Sequence, residues 1–262
     1  MTDAISHFRP LQGLRRRLRP HRTGDEQRAR SGSVERSPGL HRLGAAALAS
    51  LALAACQSPP ENPIAPTAER VADEAAGLQT ALLAGGCFWG IEGIYSHTKG
   101  VTGAVTGYHG GSAETATYKQ SNTGTTGHAE TVRITYDPAQ IRYDEILRIF
   151  FTVGIDPTQA NGQGPDIGDQ YRAAIIPLNG EQRAVATSFV RQMDASGNWS
   201  EPIAVKIEDH MQFYPAEAEH QDWIPRNPLI ARAKAKEIEM IDKLEAKFPS
   251  FYRDDFLRDF EG

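Results

Sequence analysis

Residues 84–92 read Ala84-Gly85-Gly86-Cys87-Phe88-Trp89-Gly90-Ile91-Glu92. Upstream, Gln79-Thr80-Ala81-Leu82-Leu83-Ala84 is a short apolar run of strand character. Downstream, residues 88–95 carry apolar side chains at helical spacing. The stretch therefore predicts a strand, a Gly-Gly turn and a helix, with Cys87 at the helix N-terminus. Free N–H groups and the helix dipole at that position favour a thiolate. Two readings stay open from this segment alone: a reactive nucleophile, or a buried cysteine acting as a small hydrophobe.

The chain has one other cysteine, Cys56. Residues 1–42 hold ten Arg, no Lys and four acids, and an Ala/Leu-rich run at 43–55 follows. That run is too short to span a bilayer, which takes about 20 apolar residues. A basic segment followed by a short apolar core reads as a secretory signal. It ends in Leu53-Ala54-Ala55-Cys56, which resembles the lipobox of bacterial lipoproteins, with Cys56 as the lipidated residue. The alternative is an ordinary signal with a chance cysteine. Arg15-Arg16-Arg17 lies too far upstream for a twin-arginine signal, and a start near Val34 would shorten the basic region to an ordinary length. Lipid on Cys56 would leave Cys87 as the one thiol of an exported, membrane-anchored periplasmic protein. Two cysteines so placed make neither a disulfide framework nor a cysteine-rich metal site.

The organisation expected is a signal region at 1–55, a Pro/Ala-rich tether at 56–78, a catalytic domain at 79–250 and a C-terminal tail at 251–262. Beyond residue 42 the chain has 18 basic and 29 acidic residues, a net charge of −11. Such a surface suits neither nucleic acid nor a polybasic membrane contact, so the lipid would supply the anchor. β-branched runs predict strands at 101–108 and 130–136. A stripe of Ile146, Leu147, Phe150 and Phe151 predicts a helix over 143–153. Residues 155–170 read as a long loop, then strand 171–178, helix 181–193, strand 203–207 and a charged, solvent-facing helix over 230–248. Strands and helices mixed without regular alternation point to an α/β (α+β) fold. No dinucleotide or nucleotide motif is present.

Several segments together carry a more specific signal: Gly86-Cys87-Phe88-Trp89-Gly90; Gly107-Tyr108-His109-Gly110-Gly111; Thr117-Tyr118; Gly127-His128-Ala129-Glu130; Gln163-Gly164-Pro165-Asp166; Asp169-Gln170-Tyr171-Arg172; and Phe213-Tyr214-Pro215-Ala216-Glu217 with His220-Gln221. In order and spacing they resemble the A-type peptide methionine sulfoxide reductases over nearly the whole domain. The resemblance implies a two-layer sandwich with a mixed β-sheet and flanking helices. It implies reduction of methionine-S-sulfoxide, protein-bound or free, to methionine, with no cofactor and no metal.

On that resemblance Cys87 is the nucleophile and Glu130 the general acid, with a pKa raised by its apolar surroundings. Tyr118 and Tyr171 hold the sulfoxide oxygen, Asp166 is a polar neighbour, and Phe88 and Trp89 form the wall for the S-methyl group. Taken singly, these residues also read as edge-strand tyrosines, a surface acid and core aromatics. His220 reads as structural. His128 would allow a Cys–His–Glu hydrolase, though the resemblance gives it no such role. A third class is a lipoprotein module that binds oxidised methionine without turnover. The sequence lacks the additional cysteines many relatives use to trap the sulfenic acid, so an external thiol, a thioredoxin-like protein or a small molecule, is the expected reductant of a monomer. Ile155 stands where the family usually has His, and Gly162 where Arg is common. Both fall in the loop, where they would tune substrate access.

Overall fold

The computed structural model describes residues 63–258, so the signal region and Cys56 lie outside the described residues. β1 (Gln79–Gly85) leads through Gly86 into α1 (Phe88–Ser96). β2 (Val101–His109), the single turn α2 (Tyr118–Ser121) and β3 (Ala129–Tyr136) follow. α3 (Tyr143–Ile149) winds on as a wider π-turn over Phe150–Gly154. A minimal hairpin of β4 (Gly162–Gln163) and β5 (Asp166–Ile167) then precedes β6 (Ala173–Ile176). α4 (Gly180–Ala195) is capped by Asn179, whose Oδ1 accepts from Gln182 N at 2.8 Å. β7 (Lys206–Ile207), β8 (Phe213–Pro215), α5 (Trp223–Arg226), α6 (Pro228–Lys234) and α7 (Lys236–Lys247) complete the order.

Six strands form one sheet in the order β7-β6-β1-β3-β2-β8. Every pair is antiparallel except β6 with β7, so the sheet is mixed. Alternation along β1 sends Ala81 and Leu83 to the main core and Leu82 and Ala84 to a smaller cluster on the opposite face. The main core takes Ile91 and Ile94 from α1, Ile146 and Leu147 from α3, Phe189 from α4 and Leu244 from α7. The expected mixed sheet with flanking helices is the one observed. No helix among the described residues is long and apolar enough to cross a membrane.

Four local expectations change. The 155–170 segment is not a bare loop; it holds the β4–β5 hairpin and ends in a 3₁₀ turn at Asp169–Tyr171. The strands expected at 171–178 and 203–207 shorten to β6 and β7, because β7 pairs only along Ala174–Ile175. The helix expected over 230–248 breaks at Ala235, whose φ of 56° lies outside the helical region. Its second half is also not mostly solvent-facing. Met240, Ile241 and Leu244 are buried, and α7 lies so close to α1 that a Cβ on Gly90 would stand 2.9 Å from Met240 Sδ.

The described part of the expected tether is strapped to the domain. Ala65 is fully buried; its N–H donates to Thr152 Oγ1 at 3.1 Å and its carbonyl accepts from Arg148 Nε at 2.9 Å. Ala72 N donates to Asp144 Oδ1 at 3.0 Å. Glu74 accepts from Tyr143 N at 2.9 Å and from the Tyr136 hydroxyl. The small side chains of Ala65 and Ala72 let this segment, which composition alone reads as a linker, lie against α3. The tail also packs: Tyr252 bridges Thr98, and Leu257 N donates to Ser96 O at 3.0 Å.

Candidate active site

Cys87 is the residue from which α1 starts, and its carbonyl accepts Gly90 N at 3.2 Å. The turn before it needs glycine: Gly86 has φ +84°, and a Cβ there would meet Gln163 Cβ at 2.6 Å. The pairing of β1 with β3 sets Ala84 opposite Thr131, so Glu130 falls level with the end of β1 where α1 begins. Phe88 N donates to Glu130 Oε2 at 2.9 Å, and the carboxyl is 2% exposed. Helix start and strand carboxylate are thereby joined beside the sulfur.

The thiol itself behaves differently from the sequence expectation. Burial, reinforced by the charge of Glu130, pushes the Cys87 thiol well above its ordinary range. A hydrogen bond from the Trp89 backbone pulls the other way but does not match them. The helix start contributes a favourable N–H, yet desolvation and a neighbouring carboxylate outweigh it. The unliganded protein therefore carries a thiol here.

An aromatic assembly surrounds it. Phe88 is 5.8 Å from Tyr108 and 6.5 Å from Tyr118, and Trp89 is 6.3 Å from Tyr118. Trp89 stacks on Trp223 at 3.9 Å with planes 6° apart. His220 sits within this assembly, 4.2 Å from the Tyr118 ring and 5.8 Å from that of Trp89. Burial holds the His220 imidazole below its ordinary range, so it packs as a neutral ring. Two carboxylates, the half-buried Glu217 and the buried Glu92, fasten the assembly. Glu217 accepts from Tyr108 Oη at 2.8 Å and from Tyr118 N at 2.9 Å. Glu92 accepts from Asp222 N at 3.0 Å and Trp223 N at 3.3 Å, which pins the left-handed turn at Asp222 onto α1.

Tyr118 and Tyr171 both have raised phenol pKa values, first from burial and then from the charge of Glu130. Both are hydroxyl donors at neutral pH. Tyr171 Oη donates to Asn122 Oδ1 at 3.0 Å, which orients it. Asp166 is near enough for its charge to reach Cys87, Tyr118 and Tyr171, and it is paired with Lys236 Nζ at 2.9 Å. All seven domain residues singled out from the sequence thus gather around one thiol. Tyr108, Glu217, Trp223, Lys236 and Glu92 were not singled out; Tyr108 and Glu217 lay inside quoted motifs, while the α7 residue carried no local signal.

His128 is not placed for hydrolytic chemistry. Its Nδ1 accepts from Gly111 N at 3.2 Å and its Nε2 donates to Ser112 O at 2.9 Å. Both ring nitrogens are spent on the loop that follows β2. Ile155 does not tune access either: it is 3% exposed and packs against Gly85. Gly162 admits no side chain, since a Cβ would lie 2.1 Å from Asp166 O across the hairpin.

The family model described as peptide methionine sulfoxide reductase matches residues 79–250. A peptide methionine sulfoxide reductase of Mesorhizobium japonicum is 44% identical over 178 residues, covering 68% of this chain and 91% of that protein. One from Synechocystis is 46% identical over 167 residues, covering 64% and 75%. Among solved structures, methionine sulfoxide reductase A of Corynebacterium diphtheriae is similar with a TM-score of 0.50 at 32% identity, over 58% of this chain and 76% of that one. Reduced Mxr1 of Saccharomyces cerevisiae is similar with a TM-score of 0.52 at 29% identity, over 62% and 92%.

Proposed function

The chain belongs to the peptide methionine sulfoxide reductase family and reduces methionine sulfoxide, and we propose that Cys87 is its nucleophile and Glu130 its proton donor. The observation that carries this reading is the Phe88 N to Glu130 Oε2 bond of 2.9 Å, which ties the acid to the start of the cysteine's helix. The sulfur of Cys87 attacks the sulfoxide sulfur as the thiol gives up its proton. Glu130 delivers a proton to the sulfoxide oxygen, a poor leaving group until protonated. The hydroxyl so formed passes from the substrate sulfur to the Cys87 sulfur as the new S–S bond breaks, methionine leaves, the thiol proton restores Glu130, and Cys87 ends as a sulfenic acid. One thiol and one sulfoxide become one sulfenic acid and one thioether.

Burial first and then the charge of Glu130 hold Cys87 as a thiol, so a proton on Glu130 removes the second of these and eases thiolate formation when the acid is ready to act. Tyr118 and Tyr171 donate to the oxygen of the S sulfoxide, and Phe88 and Trp89 receive its methyl group. Asp166 orients the bound substrate from the hairpin. An external thiol then condenses with the sulfenic acid, losing water, and a second thiol releases Cys87. Support for this lies in Cys87 being the one free cysteine among the described residues.

The test is a single turnover. Full-length protein with methionine-S-sulfoxide and no reductant should release one methionine per chain, and a sulfenic-acid reagent should label Cys87. Cys87→Ser should release none. Release from that variant would overturn Cys87 as the nucleophile, and binding without release by the wild type would establish a binding module instead.

We also propose that the protein is exported and anchored in a membrane by lipid on Cys56. The support is the sequence: ten arginines, an apolar run and Leu53-Ala54-Ala55-Cys56. Mass spectrometry of the mature N-terminus should find an acylated Cys56; an unmodified Cys56 thiol in membrane-directed protein refutes it.

A further inference from the structure

Helix α7 starts on an unfavourable residue. Its first position is Lys236, where a cation meets the positive end of the helix dipole. The two glutamates that follow in the first turn suit that end; the lysine does not. Ala235, just before it, has a φ of 56°, a conformation in which a residue with a Cβ is strained. Neither feature helps the helix. Together they carry the Lys236 ammonium to the β4–β5 hairpin, where Nζ donates to Gln163 O at 2.8 Å and to Asp166 Oδ2 at 2.9 Å. Gln163 and Asp166 are partners across that hairpin, so one ammonium spans both of its strands.

The two ends of this clamp differ. Gln163 is buried, and its amide is spent on the Asp156 backbone: Oε1 accepts from Asp156 N at 2.7 Å and Nε2 donates to Asp156 O at 3.0 Å. It also packs against Gly86, the residue before Cys87. Asp166 is half-exposed, and Lys236 is its one ion pair among the described residues. We propose that Lys236 is a positioning residue of the reductase site: seated on Gln163 O, its ammonium fixes the direction in which Asp166 meets the bound sulfoxide. The proposal rests on Asp166 as a residue that orients substrate. A carboxylate left to rotate must be ordered when substrate arrives, so the cost of losing Lys236 falls on binding and not on the bond-breaking step.

Single turnovers of the full-length protein read this without a reductant. The half-saturating concentration of methionine-S-sulfoxide and the maximal rate are measured for wild type, Lys236→Met, Asp166→Asn and the double variant. Lys236→Met should raise the half-saturating concentration about three- to tenfold and change the maximal rate by less than about twofold. Asp166→Asn should raise it at least as much. In the Asp166→Asn background Lys236→Met should add less than about twofold, because its effect passes through Asp166. Lys236→Arg keeps the charge and the donors and should stay within about twofold of wild type. Lys243→Met removes a lysine of the same helix that is paired with Glu239 at 3.0 Å, and should change neither quantity. Lys236→Ala reads the same loss should the Met variant not fold. An unchanged half-saturating concentration in folded Lys236→Met overturns the proposal, as does a loss confined to the maximal rate. So does an undiminished effect in the Asp166→Asn background, or a Lys236→Arg variant no better than Lys236→Met. An unchanged value in Asp166→Asn strikes the Asp166 reading itself, a separate result that takes the proposal with it.

Discussion

The Phe88 backbone N–H holds Glu130 by Oε2 at 2.9 Å. The first residue of α1 therefore fixes the place of the β3 carboxyl that we propose as the proton donor.

Glu130→Gln should slow methionine release in a single turnover by about 10²–10⁴-fold, the range expected for a positioned general acid. Substrate affinity should change much less, since the amide keeps size and one acceptor. Rapid-quench measurement of the first turnover checks this. A loss below tenfold would mean that the carboxyl only positions substrate.

Tyr118→Phe and Tyr171→Phe should each lower kcat by roughly ten- to a hundredfold with a smaller change in KM, because both hydroxyls serve oxygen as its charge develops. The Asn122→Ala variant should reproduce a weaker form of the Tyr171 defect, since Asn122 Oδ1 orients that hydroxyl at 3.0 Å. Steady-state kinetics of the three variants decide it. A defect in KM alone would move the tyrosines from transition-state stabilisation to simple binding.

Removing the strap should destabilise the domain. A chain beginning at residue 78 loses Ala65 and Ala72 from the core and orphans the partners that Ala65, Ala72 and Glu74 engage on α3 and β3. Several lost hydrogen bonds at about 1 kcal/mol each correspond to a fall in Tm on the order of 5–10 °C against a chain beginning at residue 57. Equal melting temperatures in calorimetry would show the strap to be decoration.

Acid should weaken the fold through His109. Burial, partly opposed by Glu208, lowers its imidazole pKa from 6.5 to about 4. Its Nε2 accepts Met211 N at 2.9 Å, so protonation also breaks that bond. A depressed folded-state value means the neutral ring is favoured by folding. The associated stability is complete above about pH 6.5 and is lost as pH falls toward about 4, to an upper bound of about 3 kcal/mol. His109→Gln, which can still accept from Met211, should flatten the fall in denaturation midpoint between those pH values. An unchanged slope would assign the acid sensitivity elsewhere.

The sequence by itself determined the local pieces of this protein. The apolar run at 79–84 and the β-branched run at 130–136 are properties of neighbouring residues, and so is the stripe of Ile146, Leu147 and Phe150 over 143–153. The Gly-Gly turn that presents Cys87 is legible for the same reason. The motif order made the candidate site residues readable one by one. Tertiary structure decided what those residues do to each other. Only the β1–β3 register sets Glu130 level with the end of β1 where α1 begins, and only the left-handed turn at Asp222 lays Trp223 on Trp89. The break at Ala235 and the small faces of Gly90 and Gly93 bring α7 inward, which turns a helix that looks solvent-facing in sequence into a wall of the site. The ionisation of Cys87 went the same way. Its place at a helix start is local and favours thiolate, but burial and Glu130 are supplied by distant segments, and desolvation is the larger effect.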